Sequence, residues 1–162
     1  MSSGVQIIQQ TLANAAIPAA LLPGVSPNPC IGSFNASTGA CATKALGTGV
    51  GQNPLQAEIM GQSDENPDSA DPTAAVVAPN AVLNLAPFAV NMDIDRLYAR
   101  AKPGGSLAVS AGYEGAGVAA AIEILYRIDC YAQRGTGTAQ VAGRVTGVYA
   151  CVATGESCQR KI

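Results

Sequence analysis

The chain has 162 residues, a length that suits one domain able to bury its own core. Charged residues make up only 12% of the chain, against roughly 25% in an ordinary soluble domain. We therefore expect part of the surface to be covered by neighbouring molecules. Histidine is absent, which excludes catalytic triads and zinc sites that need an imidazole.

The net charge of −2 is unevenly divided along the sequence. Residues 1–95 hold seven acidic residues and one basic residue, whereas residues 96–162 hold eight basic and four acidic residues. Complementary halves favour contact between subunits, although the two halves can also neutralise each other within one fold. Because the eight basic residues are dispersed, we do not expect nucleic-acid binding.

The first predicted element is an N-terminal helix or arm over residues 1–18. Its apolar stripe has helical spacing and consists of Val5, Ile8, Leu12, Ala15 and Ala16. Ser2 or Ser3 is expected to cap the helix, with Gln6 completing a capping box, and Pro18 ends it.

The first ten residues lack the basic and long apolar regions of a secretory signal, so we do not expect export by that route. No stretch reaches the roughly 18 apolar residues of a membrane span. The sequence therefore predicts no membrane partner.

The segment from Pro23 to Pro54 is rich in glycine, proline, asparagine and threonine, which is typical of long loops. Within it, CIGSFNASTGAC, from Cys30 to Cys41, predicts a hairpin. Residues 61–75 are acidic and interrupted by proline, and we interpret them as a loop that is either solvated or a docking arm.

The next apolar runs are interrupted by Pro79 and Pro87, which favours short edge strands over one long helix. The stretch MDIDRLYARA, residues 92–101, is expected to form a helical turn or two. Further on, Gly112, Gly115 and Gly117 have the spacing G-x-x-G-x-G, which is not the fingerprint of a dinucleotide site. We expect no cofactor.

Residues 106–155 form a predicted β-rich part with a hairpin over 120–153. Apolar residues alternate with polar ones along its first strand, at Ile122, Ile124, Tyr126, Ile128 and Cys130. With a loop from Gly135 to Thr138, three pairs of residues would lie opposite each other: Ile128 and Val145, Ile124 and Tyr149, and Asp129 and Arg144.

Five cysteines are present: Cys30, Cys41, Cys130, Cys151 and Cys158. None has the C-x-x-C spacing of zinc or redox sites, so disulfides are the main alternative to buried thiols. Cys30 and Cys41 flank the predicted hairpin, and Cys151 and Cys158 bracket a second turn that a bridge could close. We expect these four to form disulfides, although sequence alone allows three pairings among them.

Cys130 is left over, because the predicted register places it roughly 26 Å from Cys151 at about 3.3 Å per residue. A remaining thiol on the core face is most often a small hydrophobic side chain. The alternative is a thiol that bridges two subunits.

These features predict a mainly β fold, an antiparallel β-sandwich or barrel-like structure with a short N-terminal helix and long Gly/Pro-rich loops, in a single domain over 1–162. We expect no catalytic residue and no metal site. An enzyme would have to use carboxylates such as Asp93, Asp95 or Glu114, or Cys130 as a nucleophile, and none of these has an evident partner base.

The expected function is that of a structural or accessory subunit of an extracellular assembly. Low charge, apparent β-structure and disulfides favour a bacteriophage virion protein, either a capsid decoration (cement) protein or a neck or tail component. The alternative is a secreted filament or surface-layer-type subunit that assembles by β-strand augmentation. The expected partners are copies of itself and other assembly proteins, in a virion or extracellular, after assembly in a host cytoplasm.

Overall fold

The computed structural model describes residues 1–17, 30–31, 33–35, 40–42, 54–62, 79–85, 88–102, 122–134 and 141–162. In these ranges the helices are α1 (Ser2–Asn14) and α2 (Pro54–Met60). The strands are β1 (Ser33–Asn35), β2 (Ala40–Ala42), β3 (Ala81–Leu85), β4 (Phe88–Ala101), β5 (Ile122–Arg134), β6 (Val141–Val152) and β7 (Cys158–Arg160). The predicted class, mainly antiparallel β with a short N-terminal helix, is confirmed.

Strands β3 to β7 form one antiparallel sheet in which spatial order equals chain order. Strand β3 lies at one edge, as expected for a segment next to Pro79, and β7 lies at the other. Strands β1 and β2 pair separately, with Ser33 opposite Ala42, which confirms the hairpin predicted in this region. The acidic loop predicted over residues 61–75 lies almost entirely outside the described residues.

Residues 92–101 belong to β4, so the prediction of helical turns there is wrong. Met92 and Ile94 are buried on one face of the sheet, and Asp93 and Asp95 are buried on the other. Apolar and acidic residues alternate with period two, which is the period of a strand. This alternation outweighed the local preference for a helix because residues 92–95 of β4 are buried on both faces.

Strands β5 and β6 form the predicted hairpin in a different register. Ile128 lies opposite Gly147 and Ile124 opposite Cys151, so each predicted partner is wrong by two residues. The last pair before the connection joins Arg134 to Val141, which makes the connection two residues longer than the predicted four. A shift of two keeps every side chain on its predicted face.

Helix α1 packs on the sheet with its buried face rotated from the predicted stripe: Gly4, Ile7, Ile8 and Thr11 are buried. Of the predicted stripe, Ile8 is buried, Val5 and Leu12 are half-buried against the core, and Ala15 and Ala16 are exposed. The helix begins at Ser2 with Met1 as its N-cap and no side-chain capping bond, so the predicted capping box is absent. Gly4 explains why the buried face of the helix is rotated from the predicted stripe. A Cβ there would lie 2.9 Å from Met92 Sδ and 3.2 Å from Ile128, so these side chains would have to shift if any other residue stood at this position.

Tyr126 joins the middle of the sheet to α2, a helix that the sequence did not predict. Its ring is fully buried, and its hydroxyl donates a hydrogen bond of 2.7 Å to the carbonyl oxygen of Ile59. Burial raises the pKa of Tyr126 far above its ordinary value of 10, although the nearby Arg96 acts in the opposite direction.

The raised pKa of Tyr126 predicts a loss of stability in alkali. The folded protein holds the phenol proton more tightly than the unfolded chain, so the stabilisation is complete below pH 10 and declines as the pH rises above it. Tyr126→Phe should unfold about 1 kcal/mol more easily at neutral pH, because it loses the hydrogen bond to Ile59. Denaturant unfolding from pH 8 to pH 11 should show a smaller alkaline decline in the variant than in the wild type. Equal declines would contradict the assignment.

Gly155, in the turn between β6 and β7, has a left-handed φ of 77° and is buried against α1. An added Cβ would collide with the carbonyl oxygen of Gln9 and lie 2.8 Å from the amide nitrogen of Ala13. Gly155→Ala should therefore cost about 2–4 kcal/mol of unfolding free energy. Gly143→Ala is the matched control, since no atom lies within 4 Å of its Cβ position and its stability should stay the same or rise slightly. Similar thermal midpoints for the two variants would contradict this packing.

Candidate functional site

The face of the sheet opposite the helices carries a buried network of charged residues on β4, β5 and β6. Arg127 lies between two carboxylates, with Nη2 at 2.7 Å from Asp95 Oδ2 and Nε at 3.0 Å from Asp129 Oδ2. Asp129 also accepts hydrogen bonds from the guanidinium of Arg144, at 3.2 Å, and from the hydroxyl of Thr146. The carboxylates of Asp95 and Asp129 have essentially no solvent exposure.

The network follows from the alternation along each strand. Asp129 and Arg127 are two residues apart on β5, and Asp95 lies opposite Arg127 on β4, so the three side chains share one face. The sequence predicted the ion pair between Asp129 and Arg144, although in the observed register Arg144 lies opposite Tyr131 and reaches Asp129 diagonally. Buried charges are stable only when they are paired, so this network fixes how the three strands align.

The predicted disulfide cysteines lie in two places. Cys151 and Cys158 are at the β7 edge of the sheet, and Cys30 lies beside the β3 edge. Cys151 and Cys158 are bonded and hold β7 against β6. Cys30 is buried and disulfide-bonded, and its backbone pairs with Val82. Cys41 lies on β2, but its side chain is outside the described part, so the pairing of Cys30 with Cys41 stays a prediction.

Cys130 is a free, buried thiol beneath the start of α1. It lies opposite Val145, not Gly143 as predicted. The amino group of Met1 is 3.5 Å from its sulfur, and Met1 Sδ is 3.6 Å away. The contacts described for Cys130 are therefore those of a side chain packed under the N-terminus.

Two of the other three candidate catalytic residues lie in the described part of the chain. Asp93 and Asp95 are buried in the charged face of β4, and Glu114 falls outside the described residues. Among the residues that are described, no three or more cysteine and acidic side chains are arranged to hold a metal ion. None of the described helices has the length and apolar character needed to cross a membrane.

The helices cover only part of the apolar face of the sheet. Met1 contacts Cys130 and Gly147, while the other end of α1 packs on Gly155 in the turn between β6 and β7. Strands β3, β4, β5 and β6 continue past Met1 to the row formed by Leu85, Phe88, Arg134 and Val141.

We call this uncovered region the apolar end of the sheet; it comprises Leu83, Leu85, Phe88, Val90, Ala132, Gly143 and Val145. Leu85 is 52% exposed, Phe88 38% and Val145 53%. Leu83, Val90 and Ala132 are half-buried between them. The guanidinium of Arg134 lies 5.8 Å from the centre of the Phe88 ring and marks the border of the surface. Large apolar side chains grouped on one exposed surface are typical of a contact with another molecule.

The sequence did not identify the apolar end as a site. Period-two alternation placed Val145 on the apolar face correctly, but it could not show that the helices stop short of it. The low content of charged residues was the one signal, since it predicted a surface covered by neighbours without saying where.

No protein-family model matches the chain, and searches of curated proteins and of solved structures likewise find no match.

The charged network predicts a difference between two buried acidic residues. Asp129→Ala should lower the free energy of unfolding by about 3–5 kcal/mol, because it leaves Arg127 and Arg144 without a shared carboxylate. Glu123→Ala is the matched control: its partner Arg100 is 39% exposed and can turn to water, so the cost should be about 1 kcal/mol. Urea unfolding of both variants measures the difference. A cost for Asp129→Ala no larger than that for Glu123→Ala would contradict a structural role for the network.

Proposed function

We propose that the protein is a structural subunit of an extracellular assembly. A bacteriophage particle is the preferred setting, in which the protein would be a capsid decoration (cement) protein or a neck or tail component. The observation that carries this proposal is the apolar end of the sheet, because Leu85, Phe88 and Val145 are exposed on one surface. Burying such a surface against a neighbour would contribute roughly 25 cal/mol for each Å² removed from water.

The distribution of charge supports contact between subunits. Exposed charged side chains in the described ranges are mostly basic: Arg100, Lys102, Arg134, Arg144, Arg160 and Lys161, against Glu156. The acidic residues of β4 and β5 are buried, and further acidic residues are concentrated at 61–72 in the sequence. A basic sheet surface and an acidic segment on the same chain would attract each other between copies.

The disulfides support the extracellular part of the proposal. The bond between Cys151 and Cys158 and the bonded state of Cys30 require an oxidising environment to persist. A particle that is assembled in a host cytoplasm and released by lysis would bring the protein into such an environment.

The proposal predicts association through the apolar end. The wild-type protein should sediment as discrete oligomers at micromolar concentration, in oxidising buffer and, since Cys130 is buried, also in mild reductant. The double variant Leu85→Ser with Phe88→Ser should weaken association and lower the average mass of these oligomers. Tyr98→Ser is the matched control, because Tyr98 is equally exposed, at 52%, but lies on the charged face near the other end of β4.

Sedimentation equilibrium gives the mass of each variant in both buffers. A wild-type protein that remains a monomer in both buffers at every concentration would contradict the proposal. Equal dissociation by the Tyr98 variant would show that association does not depend on the apolar end.

A further inference from the structure

The two edges of the five-stranded sheet are covered to different extents. At the β3 edge, Val82 exchanges backbone hydrogen bonds with Cys30, both of 2.7 Å. At the β6 edge, β7 and the residues after it cover β6 only from Val148 onward. Lys161 donates a hydrogen bond of 2.8 Å to the carbonyl oxygen of Val148, and the Val148 amide donates one of 3.3 Å to the carbonyl of Ile162.

The remainder of β6 is an exposed edge. All five residues from Ala142 to Thr146 are exposed, although each is paired with β5 on its other side. Since Val148 directs its amide and carbonyl away from β5, Ala142 and Thr146 direct theirs the same way. Groups of this kind are satisfied by an extended strand that lies alongside.

Proline, lysine, a β-bulge or an inward-pointing charge usually keeps a strand edge from pairing, and of these the described edge has only the charge of Arg144. It contains no proline and no lysine, and its pairing with β5 is continuous from Val141 to Val152. Its one charged residue, Arg144, is bound to Asp129 of the same chain. The edge can therefore accept a further strand.

We propose that a second copy of the chain pairs its own β6 with this edge in antiparallel orientation, on a two-fold axis at Gly143. This inference rests on the proposed function and specifies one contact between subunits of the assembly. A contact of one surface with its own copy closes as a dimer, in contrast to the filament that would form if β6 paired with a β3 edge. The partner's β6 is favoured over β3 because Val82 on the β3 edge is already bonded to Cys30.

Two registers displaced toward the C-terminal half of β6 are excluded by the residues that they would bring together. An axis at Arg144 would place two arginines directly opposite each other, which is destabilising. An axis at Val145 would place Ala142 opposite Val148 of the second copy, whose backbone groups are already bonded to Lys161 and Ile162. An axis at Gly143 avoids both conflicts.

The surroundings of the two β6 glycines support this axis. Gly147 is covered within the molecule, since a Cβ there would lie 2.6 Å from Met1 Cε. Gly143 has no atom within 4 Å of its Cβ position. The position at Gly143 is therefore open, so it can adjoin a second copy and also accept a substituted side chain. The apolar ends of the two copies would then adjoin and form one continuous surface.

A proline at an outward-pointing position tests the edge. Ala142→Pro removes an amide that points away from β5, so the sheet within each copy keeps its hydrogen bonds and the variant should fold but not dimerise. Asn84→Pro is the matched control: it has the same outward direction as Val82 on the β3 edge, at the same end of the sheet. Sedimentation equilibrium should show at least a tenfold weaker dimer for Ala142→Pro and no change for Asn84→Pro, with circular dichroism checking that both variants fold.

A cysteine on the proposed axis tests the register. In an antiparallel pair of this kind the two Gly143 Cα atoms would be about 4.5 Å apart, a distance that a disulfide spans. Gly143→Cys should therefore form a disulfide-linked dimer in mild oxidant, seen on non-reducing gels and by intact mass. Tyr98→Cys and the wild type control for random oxidation and should stay uncrosslinked.

The outcomes separate this inference from the proposed function. If the wild type associates but both Ala142→Pro and Asn84→Pro do so equally well, the β6 contact is overturned while an assembly subunit stands. Loss of association in Asn84→Pro alone, or no crosslink in an associated Gly143→Cys variant, also overturns it. A wild-type protein that never associates overturns both.

Discussion

The structure depends on a difference in length between a helix and the strands that it covers. Helix α1 has 13 residues and spans about 20 Å at 1.5 Å per residue, whereas the 14 residues of β4 span about 46 Å at 3.3 Å per residue. Met1 lies above Cys130 and the last turns of α1 lie against Gly155. The whole length of the helix therefore covers only one half of the sheet. The other half keeps its apolar alternation without cover, and this is what produces the apolar end.

The middle of strand β5 is enclosed on both faces, by apolar packing on one face and by ion pairs on the other. On one face Ile124, Tyr126 and Ile128 pack under the helices, and the hydroxyl of Tyr126 is bound to α2. On the other face Arg127 and Asp129 hold β4 and β6 in register through short ion pairs. A slip of one residue would exchange the two faces and place charges beneath the helices, so the register is strongly determined.

The proposed contacts lie in the part of the sheet beyond the helices and the charged network. Beyond the helices and the charged network, the first half of β6 is exposed on both faces and along its edge, whereas its second half is held by β7 and the disulfide of Cys151. Side-chain contacts at the apolar end and backbone contacts at the β6 edge would act together, because the two adjoin at Gly143 and Val145. An assembly subunit needs a stable fold and a surface that pairs with the next molecule.

Local alternation and turn chemistry were enough to predict the class of the fold, the faces of β5 and β6 and the first hairpin. They also placed Cys151 and Cys158 at a turn that a bridge could close, but three pairings stayed open among four cysteines until the structure showed this bond. The sequence did not determine the register of β5 and β6, since the length of the connection after Arg134 shifts it by two without moving any side chain to another face. The alternation in residues 92–101 was present in the sequence, yet a helix was predicted there because nothing local showed that Asp93 and Asp95 would be buried. The packing of α1, with Gly4 toward Met92 and Met1 over Cys130, depended on contacts between residues far apart in the sequence. The exposure of Leu85, Phe88 and Val145 follows from that placement, because exposure depends on which distant segments lie over a residue and not on its neighbours along the chain.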